Sequence, residues 1–382
     1  MGKKIPKGVQ DALDKAAKKD EPPSFEDLIR ANEILKANVR KLESAHATFD
    51  RVIREVYTPL PPWTPRKRRK SKRPQSSAEE MHSAFSDTQI GTKAKAVNTS
   101  GLGGWNRDSY LKALDMWVDK KLRILEVQRA DHPVNKLVIW GLGDYVEGED
   151  IFPGQAWHLD MDGFDQVAWG TAVTAKAIYR LYIEGEFNEG IDLIAVPGNH
   201  GRLGKRGVIK ANLDDFFILG LAQAFCRVEG VRIHHCHPGF AAVQIQEKWG
   251  FVISHGDETR GWMGLPYYGL QRDGLKALGI FRFPIHFHLR AHHHQTAGIS
   301  IGPDQTLMVN GSWPGPTNFS VQVLKAAMTP SQTVWFMHHE QGLTAEYKIR
   351  LGDVPILKPD PETGIYTPTR EPVVDPIGGD DE

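Results

Sequence analysis

The sequence predicts an α/β protein with α+β layering: two mixed β-sheets packed as a sandwich, flanked by helices, with an N-terminal helical extension. Three observations predict it. Short apolar runs, Leu137–Trp140 and Leu193–Val196, each lead into a Gly-containing loop, as buried strands do. Between them, residues 164–183 carry Val167, Ala168, Thr171, Ala175, Ile178 and Leu181 roughly on one side of a helix, giving the order strand, helix, strand. After Val231 strand-like runs dominate, which argues against a purely parallel sheet.

The elements follow in chain order. Residues 1–80 form the helical extension and a basic linker, 81–353 the main domain, and 354–382 a tail rich in Pro, Gly and acid that reads as a loosely attached end. In the extension, Ser24 follows two prolines as a capping residue and Asp27 favours the first turn. Leu28, Leu35, Leu42, Phe49 and Val56 then recur every seven residues, predicting an amphipathic helix over 24–57. The companion seam (Asn32, Val39, His46, Ile53) is only half apolar, which favours a brace against the main domain over self-association or a protein partner. Arg66–Arg73 is a run of basic residues between Pro65 and Pro74, either a solvated linker or a strap for nucleic-acid phosphates. In the main domain a second helix is expected over 211–225. Strands are expected over 241–245, 251–254, 307–309, 319–323, 333–337 and 345–349.

Composition narrows the function. A chain of 382 residues with 40% hydrophobic residues buries a full core. Its formal net charge is zero, so any attraction for nucleic acid must be local. Cys226 and Cys236 are too few for a disulfide framework, and the charged N-terminus lacks the apolar centre of a signal peptide. No run approaches the ~20 apolar residues of a membrane span. The expectation is a cytoplasmic protein without a membrane partner.

Short polar clusters follow the apolar runs: Asp87-Thr88-Gln89, Gly143-Asp144, Gly198-Asn199-His200, His255-Gly256-Asp257 and His292-His293-His294. Carboxylate, amide and imidazole donors in this mixture are what closely spaced divalent cations need. Taken singly, each residue has a structural reading: a turn aspartate, a loop cap, a core histidine. His234-His235-Cys236-His237 is set aside as a zinc cluster, since adjacent strand residues alternate faces and no second cysteine pair exists. His338-His339 reads as a strand end.

In this order the clusters resemble the motifs of the calcineurin-like metallophosphoesterases, over roughly residues 81–315. The nearest branch in look is that of the DNA-repair exonucleases and their phage relatives, through Pro197-Gly198-Asn199-His200-Gly201-Arg202 and Ser254-His255-Gly256-Asp257. The resemblance implies two divalent metal ions. Asp87, Gln89 and His294 would hold the first, Asn199, His255 and His292 the second, and Asp144 would bridge. It also implies a water activated by the metals, with His200 assisting the leaving group. Gln89 stands where the family has His, which favours a harder ion such as Mn²⁺ or Mg²⁺ over Zn²⁺ and weakens the first position; Mn²⁺ is expected first, with Mg²⁺, Zn²⁺ or Fe²⁺ as alternatives. Ala291 stands where the family has Gly. Glu147 and Asp257 are expected to orient ligands.

The substrate expectation is DNA. The loop 256–268 mixes Arg260, Trp262 and Tyr267 beside a ligand motif, either to stack bases or as a packed lid, and Arg202, just beyond His200, is either a phosphate contact or a surface arginine. The leading reading is a dinuclear-metal phosphodiesterase acting as a nuclease on DNA. The alternatives are a small-molecule phosphatase or nucleotidase, and a nucleic-acid-binding protein with a weakened metal centre.

Overall fold

A computed structural model of the chain describes residues 75–99, 101–152, 154–203, 211–259, 266–281, 283–322 and 327–354, with Asn32, Glu33 and Lys36. The chain divides into two units, Met1–Arg54 and Glu55–Glu382. In the first, Asn32, Glu33 and Lys36 are helical and exposed; the rest of the helix expected over 24–57 lies outside the described residues. So do the strap Arg66–Arg73, the loop residues Arg260 and Trp262, and the tail beyond Val354.

In the second unit, period-two alternation builds a core on both faces of one sheet. On β2 (Val134–Gly141), Leu137 and Ile139 join the core beneath the helices, while Val138 and Trp140 join the core between the sheets. β3 (Gly190–Ala195) divides Leu193 and Ile194 in the same way, and β10 (Ser331–His338) divides Phe336 and Trp335. With β1 (Glu79–Phe85), β4 (Val231–His235) and β11 (Gly342–Arg350) these strands form a six-stranded sheet ordered β11-β10-β1-β2-β3-β4. β1 to β4 run parallel; β10 and β11 are antiparallel additions at one edge.

The second sheet has five strands: β5 (Phe240–Ile245), β6 (Trp249–Ser254), β7 (Phe287–Arg290), β8 (Ala297–Gly302) and β9 (Gln305–Val309), ordered β5-β6-β7-β9-β8. Its three central strands are parallel and its edge strands antiparallel, so both sheets are mixed. Phe251, Ile253, Leu289 and Met308 meet Val138, Trp140, Trp335 and Met337 of the first sheet. Trp140 stacks on Phe251 with ring centroids 4.7 Å apart. Each such side chain, fully buried, contributes about 1.5–3 kcal/mol.

Helices α1 (Arg107–Arg129), α2 (Gly163–Glu184) and α3 (Leu213–Phe225) cover the outer face of the first sheet through Trp117, Leu125, Ile178, Leu181, Phe217 and Leu221. α4 (Tyr267–Ala277) covers the second sheet, with Leu270 against Leu307 and Val309. The first three helices begin on side-chain caps: Asn106, Asp162 and Asn212 each accept a first-turn backbone N–H. The layers are those the sequence predicts.

Two local expectations change. The strand expected over 319–323 is a short helix, α5 (Asn318–Gln322). Thr317 and Ser320 exchange hydrogen bonds, the Thr317 N–H to Ser320 Oγ at 2.9 Å and the Ser320 N–H to Thr317 Oγ1 at 3.2 Å. This reciprocal cap closes a helical turn where apolar content alone reads as strand. Tyr267, expected in a loop, opens α4. α1 goes beyond the expectations: its buried stripe runs Tyr110, Ala113, Leu114, Trp117, Val118, Lys121 and Leu125, with a buried lysine amine over the Trp117 ring.

Candidate metal centre

Every expected ligand sits just beyond the carboxyl end of a parallel strand. Asp87 and Gln89 follow β1, Asp144 follows β2, Asn199 and His200 follow β3, His255 follows β6, and His292 and His294 follow β7. Strand direction therefore delivers the turns of both sheets to one edge of the sandwich, where α/β sheets bind their ligands.

The turns are strained in a selective way. Among the described residues nine non-glycine residues have positive φ, and five of them are expected ligands: Asp87, Gln89, Asp144, His292 and His294. A left-handed backbone at an Asp, Gln or His is uncommon and persists where surrounding structure over-determines it. Ala291 is not among them and is fully buried, so the alanine fits without strain.

Two glycines let the turns touch. A Cβ on Gly143 (φ +87°) would lie 2.5 Å from Gly198 Cα, and one on Gly198 would lie 2.2 Å from Asp144 Oδ1. The carboxylate of Asp214, in the first turn of α3, then ties both loops down. Its Oδ2 accepts the N–H groups of Asp144 (2.8 Å) and Gly198 (2.7 Å). Its Oδ1 accepts those of Tyr145 (3.0 Å) and Val146 (3.2 Å). On the other side, Gln332 Oε1 accepts from the Ser86 N–H at 3.2 Å and from Asn310 Nδ2 at 2.8 Å, fixing the approach to Asp87.

The side chains converge as follows. Asp144 Oδ1 accepts the backbone N–H groups of Asn199 (2.6 Å) and His200 (2.8 Å). Its Oδ2 lies 2.9 Å from His255 Nε2 without satisfying hydrogen-bond geometry. His255 Nδ1 sits 2.7 Å from the Leu142 carbonyl; donating there leaves Nε2 as the ligand atom. That Nε2 is also 3.2 Å from His292 Nδ1, so Asp144, His255 and His292 present donor atoms within 4.8 Å of one another. The second subset gathers around Asp87, whose Oδ1 lies 3.4 Å from His294 Nε2. The Gln89 amide is 3.2 Å from the same imidazole nitrogen, and a rotation of that amide presents its oxygen instead.

Three buried oxygens in this cluster have no hydrogen-bond partner: Asp87 Oδ2, Asp144 Oδ2 and Asn199 Oδ1. A buried unpaired carboxylate oxygen costs several kcal/mol unless a cation answers it. Two carboxylates, one amide oxygen and three imidazoles are a donor set that divalent ions accept, so the residues fit a metal pair.

Burial lowers the His255 imidazole, but Asp144 and, more weakly, Asp87 and Asp257 push it up to about 10. Burial raises the Asp144 carboxyl, yet His255 and His200 hold it far below the usual carboxylate range. His292 falls to about 2 through burial and the neighbouring His255. A metal ion at His255 Nε2 would have to displace the proton that Asp144 favours there.

His200 stands beside this set. Its Nε2 is 3.9 Å from Asp144 Oδ2, and its Nδ1 is 3.3 Å from Glu147 Oε2. Glu147 is itself fixed by Thr92 Oγ1 at 2.7 Å and Gln155 Nε2 at 2.8 Å. Burial lowers the His200 imidazole, but Glu147 and Asp144 push it up to about 10, so it carries a proton at neutral pH.

The expected substrate residues fare differently. Arg202 donates through Nε to the Asn199 carbonyl at 3.0 Å and pairs with Asp257 at 3.3 Å. Asp257 thus positions Arg202. Tyr267 donates its hydroxyl to Gln295 Oε1 at 2.8 Å, and the neighbouring Arg260 and Trp262 are outside the described residues. Sequence reasoning missed Asp214, because Asn212-Leu213-Asp214-Asp215 reads as an ordinary helix start; its carboxylate serves loops far away in sequence.

Neither a family model nor a curated protein matches the sequence. Among solved structures, Vps29 of Chaetomium thermophilum is similar with a TM-score of 0.30 and 10% identity, over 71% of this chain and 99% of that one. A dimetal phosphatase from Danio rerio gives a TM-score of 0.32 and 10% identity, over 71% of this chain and 99% of that one. The case for a metal centre rests on the grouping of Asp144, His255 and His292, with Asp87, Asn199 and His294 on adjoining turns, and not on these likenesses.

Proposed function

We propose that this chain is a metallophosphoesterase of the calcineurin-like kind, and that its substrate is a phosphodiester, DNA in particular. One observation carries the reading: turns from both sheets bring the donor atoms of Asp144, His255 and His292 within 4.8 Å of one another, with the paired Asp87 and His294 beside them and buried carboxylate oxygens left unpartnered. Asp87, Gln89 and His294 would hold one cation, Asn199, His255 and His292 the other, with Asp144 between them. Bound there, the cations supply Lewis-acid stabilisation of the phosphoryl oxygens and lower the pKa of a nucleophilic water.

The chain's own residues supply the rest. Asp144 Oδ1, anchored by two backbone N–H groups, leaves only Oδ2 free to turn toward the ligand cluster. His200 holds a proton on a ring that Glu147 fixes at Nδ1, so Nε2 is the atom that can deliver it to the departing oxygen. Arg202, anchored on Asn199 and Asp257, sets positive charge at the rim of the site, where a phosphate can share it.

The DNA reading draws on the run Pro197–Arg202, the aromatic and basic loop over 256–268, and the strap Arg66–Arg73. Metal-stripped protein, reloaded with Mn²⁺, is incubated with labelled single- and double-stranded DNA, a small phosphodiester and a small phosphomonoester. Cleavage of DNA and of the phosphodiester is expected. Rapid turnover of the monoester with intact DNA would replace the nuclease by a small-molecule phosphatase. No turnover of any of them, with DNA still bound, would favour a binding protein with a weakened centre.

A further inference from the structure

A second group of metal-ligating side chains lies outside the centre just described. Asp215 of α3 and His235 and His237 at the end of β4 present donor atoms within 4.8 Å of one another. His235 Nε2 is 2.6 Å from Asp215 Oδ1, and His237 Nδ1 is 3.1 Å from Asp215 Oδ2. The strand alternation that separates His234 from His235 is the reason for this arrangement. His234 turns to Asp192 at 3.4 Å, while His235 and His237, two positions apart, converge on one carboxylate. The third donor comes from a helix, so the histidine run alone does not disclose it.

We propose that Asp215, His235 and His237 form a separate mononuclear site for a borderline divalent cation of the Zn²⁺ type. Two imidazoles and a carboxylate are a common three-residue zinc set, with water completing a tetrahedron at ligand distances of about 2.0–2.2 Å. The donors span a graded surface position: the side chain of Asp215 is 10% exposed, that of His235 19% and that of His237 63%. An ion therefore enters from solvent beside His237 and is held against a buried carboxylate. Neither imidazole has a role in the centre at Asp144, so this site stands or falls independently of it.

The site would also have a structural consequence. Asp215 follows directly on Asp214, whose carboxylate holds the Asp144 and Gly198 loops. A cation joining Asp215 to the end of β4 fastens the start of α3 and, through it, the posture of those loops. The ion acts here as a clasp and takes no part in bond-breaking.

The test is a Zn²⁺ titration of the metal-stripped full chain by calorimetry, with metal analysis after dialysis, for the wild type, His237→Ala and the double variant His235→Asn with His237→Asn. The expected result is one Zn²⁺ equivalent fewer in both variants, and a Zn²⁺-dependent rise in the wild-type melting midpoint that shrinks in both. His237→Ala changes an exposed side chain, so it should remain folded. Equal stoichiometry and affinity in all three proteins would overturn the proposal. So would variants that lose the same stability with and without Zn²⁺, because the triad would then be a plain imidazole–carboxylate pairing.

Discussion

At the scale of single residues, Gln89 and His200 make the most exposed claims. Gln89 occupies the position of an imidazole in the resembling family, yet its backbone is left-handed and its amide lies beside His294 and near Asp87. A neutral amide oxygen binds a divalent ion less strongly than an imidazole does. Gln89→His should therefore tighten the weaker of two Mn²⁺ or Zn²⁺ binding steps, by at least the roughly tenfold that loss of an outer partner costs. Calorimetric titration reads this directly, and unchanged binding would remove Gln89 from the ligand set. His200→Ala should lower phosphodiester turnover roughly 10²–10⁴-fold while metal content is retained. Loss of metal with loss of turnover would make His200 a ligand instead of a proton donor.

At the scale of elements, the site depends on how the turns are held together. Asp214 accepts four backbone N–H groups from two loops. In Asp214→Asn an NH₂ group faces two of those donors, leaving buried N–H groups unsatisfied. The expected cost is about 2–4 kcal/mol, read from urea unfolding. A loss below about 0.5 kcal/mol would mean the loops are fixed by other contacts. The turns after β2, β3 and β6 were legible because each follows an apolar run that is a parallel strand, so the spacing of Gly143-Asp144 and Gly198-Asn199-His200 maps directly onto strand ends. β1 and β7 carry His, Glu and Arg and were not among the expected strands. What was illegible at this scale is non-local. Asp214 looks like a helix cap, Asp215 looks like its neighbour, and the Thr317–Ser320 exchange turns an apolar stretch into a helix.

At the scale of the whole molecule, the layered architecture was readable from alternation and spacing, because a sheet covered on both faces leaves long apolar runs. Strand order was not, since nothing in the composition says that β10 pairs with β1. The core between the sheets also contains a titrating group. His82 is fully buried, stacks with Trp140, Phe251 and Trp335, and accepts the Trp140 indole N–H on Nδ1 at 3.0 Å. Burial lowers its pKa from 6.5, although Glu80 opposes this and Lys136 adds to it. The folded chain therefore resists the proton that the unfolded chain accepts. Stability is intact above the unfolded value and is lost as pH falls through it. Between about pH 7.5 and about pH 5.5, denaturant midpoints should fall less in His82→Phe than in the wild type. Identical pH slopes would show that folding leaves the His82 pKa unshifted.

The central claim is that donors from both sheets cage two cations on either side of Asp144. Crystals of the full chain soaked in Mn²⁺ and measured for anomalous scattering test it most directly. Two peaks are expected beside Asp144, one toward Asp87 and His294 and the other toward Asn199, His255 and His292. No peak within bonding distance of Asp144 would contradict it.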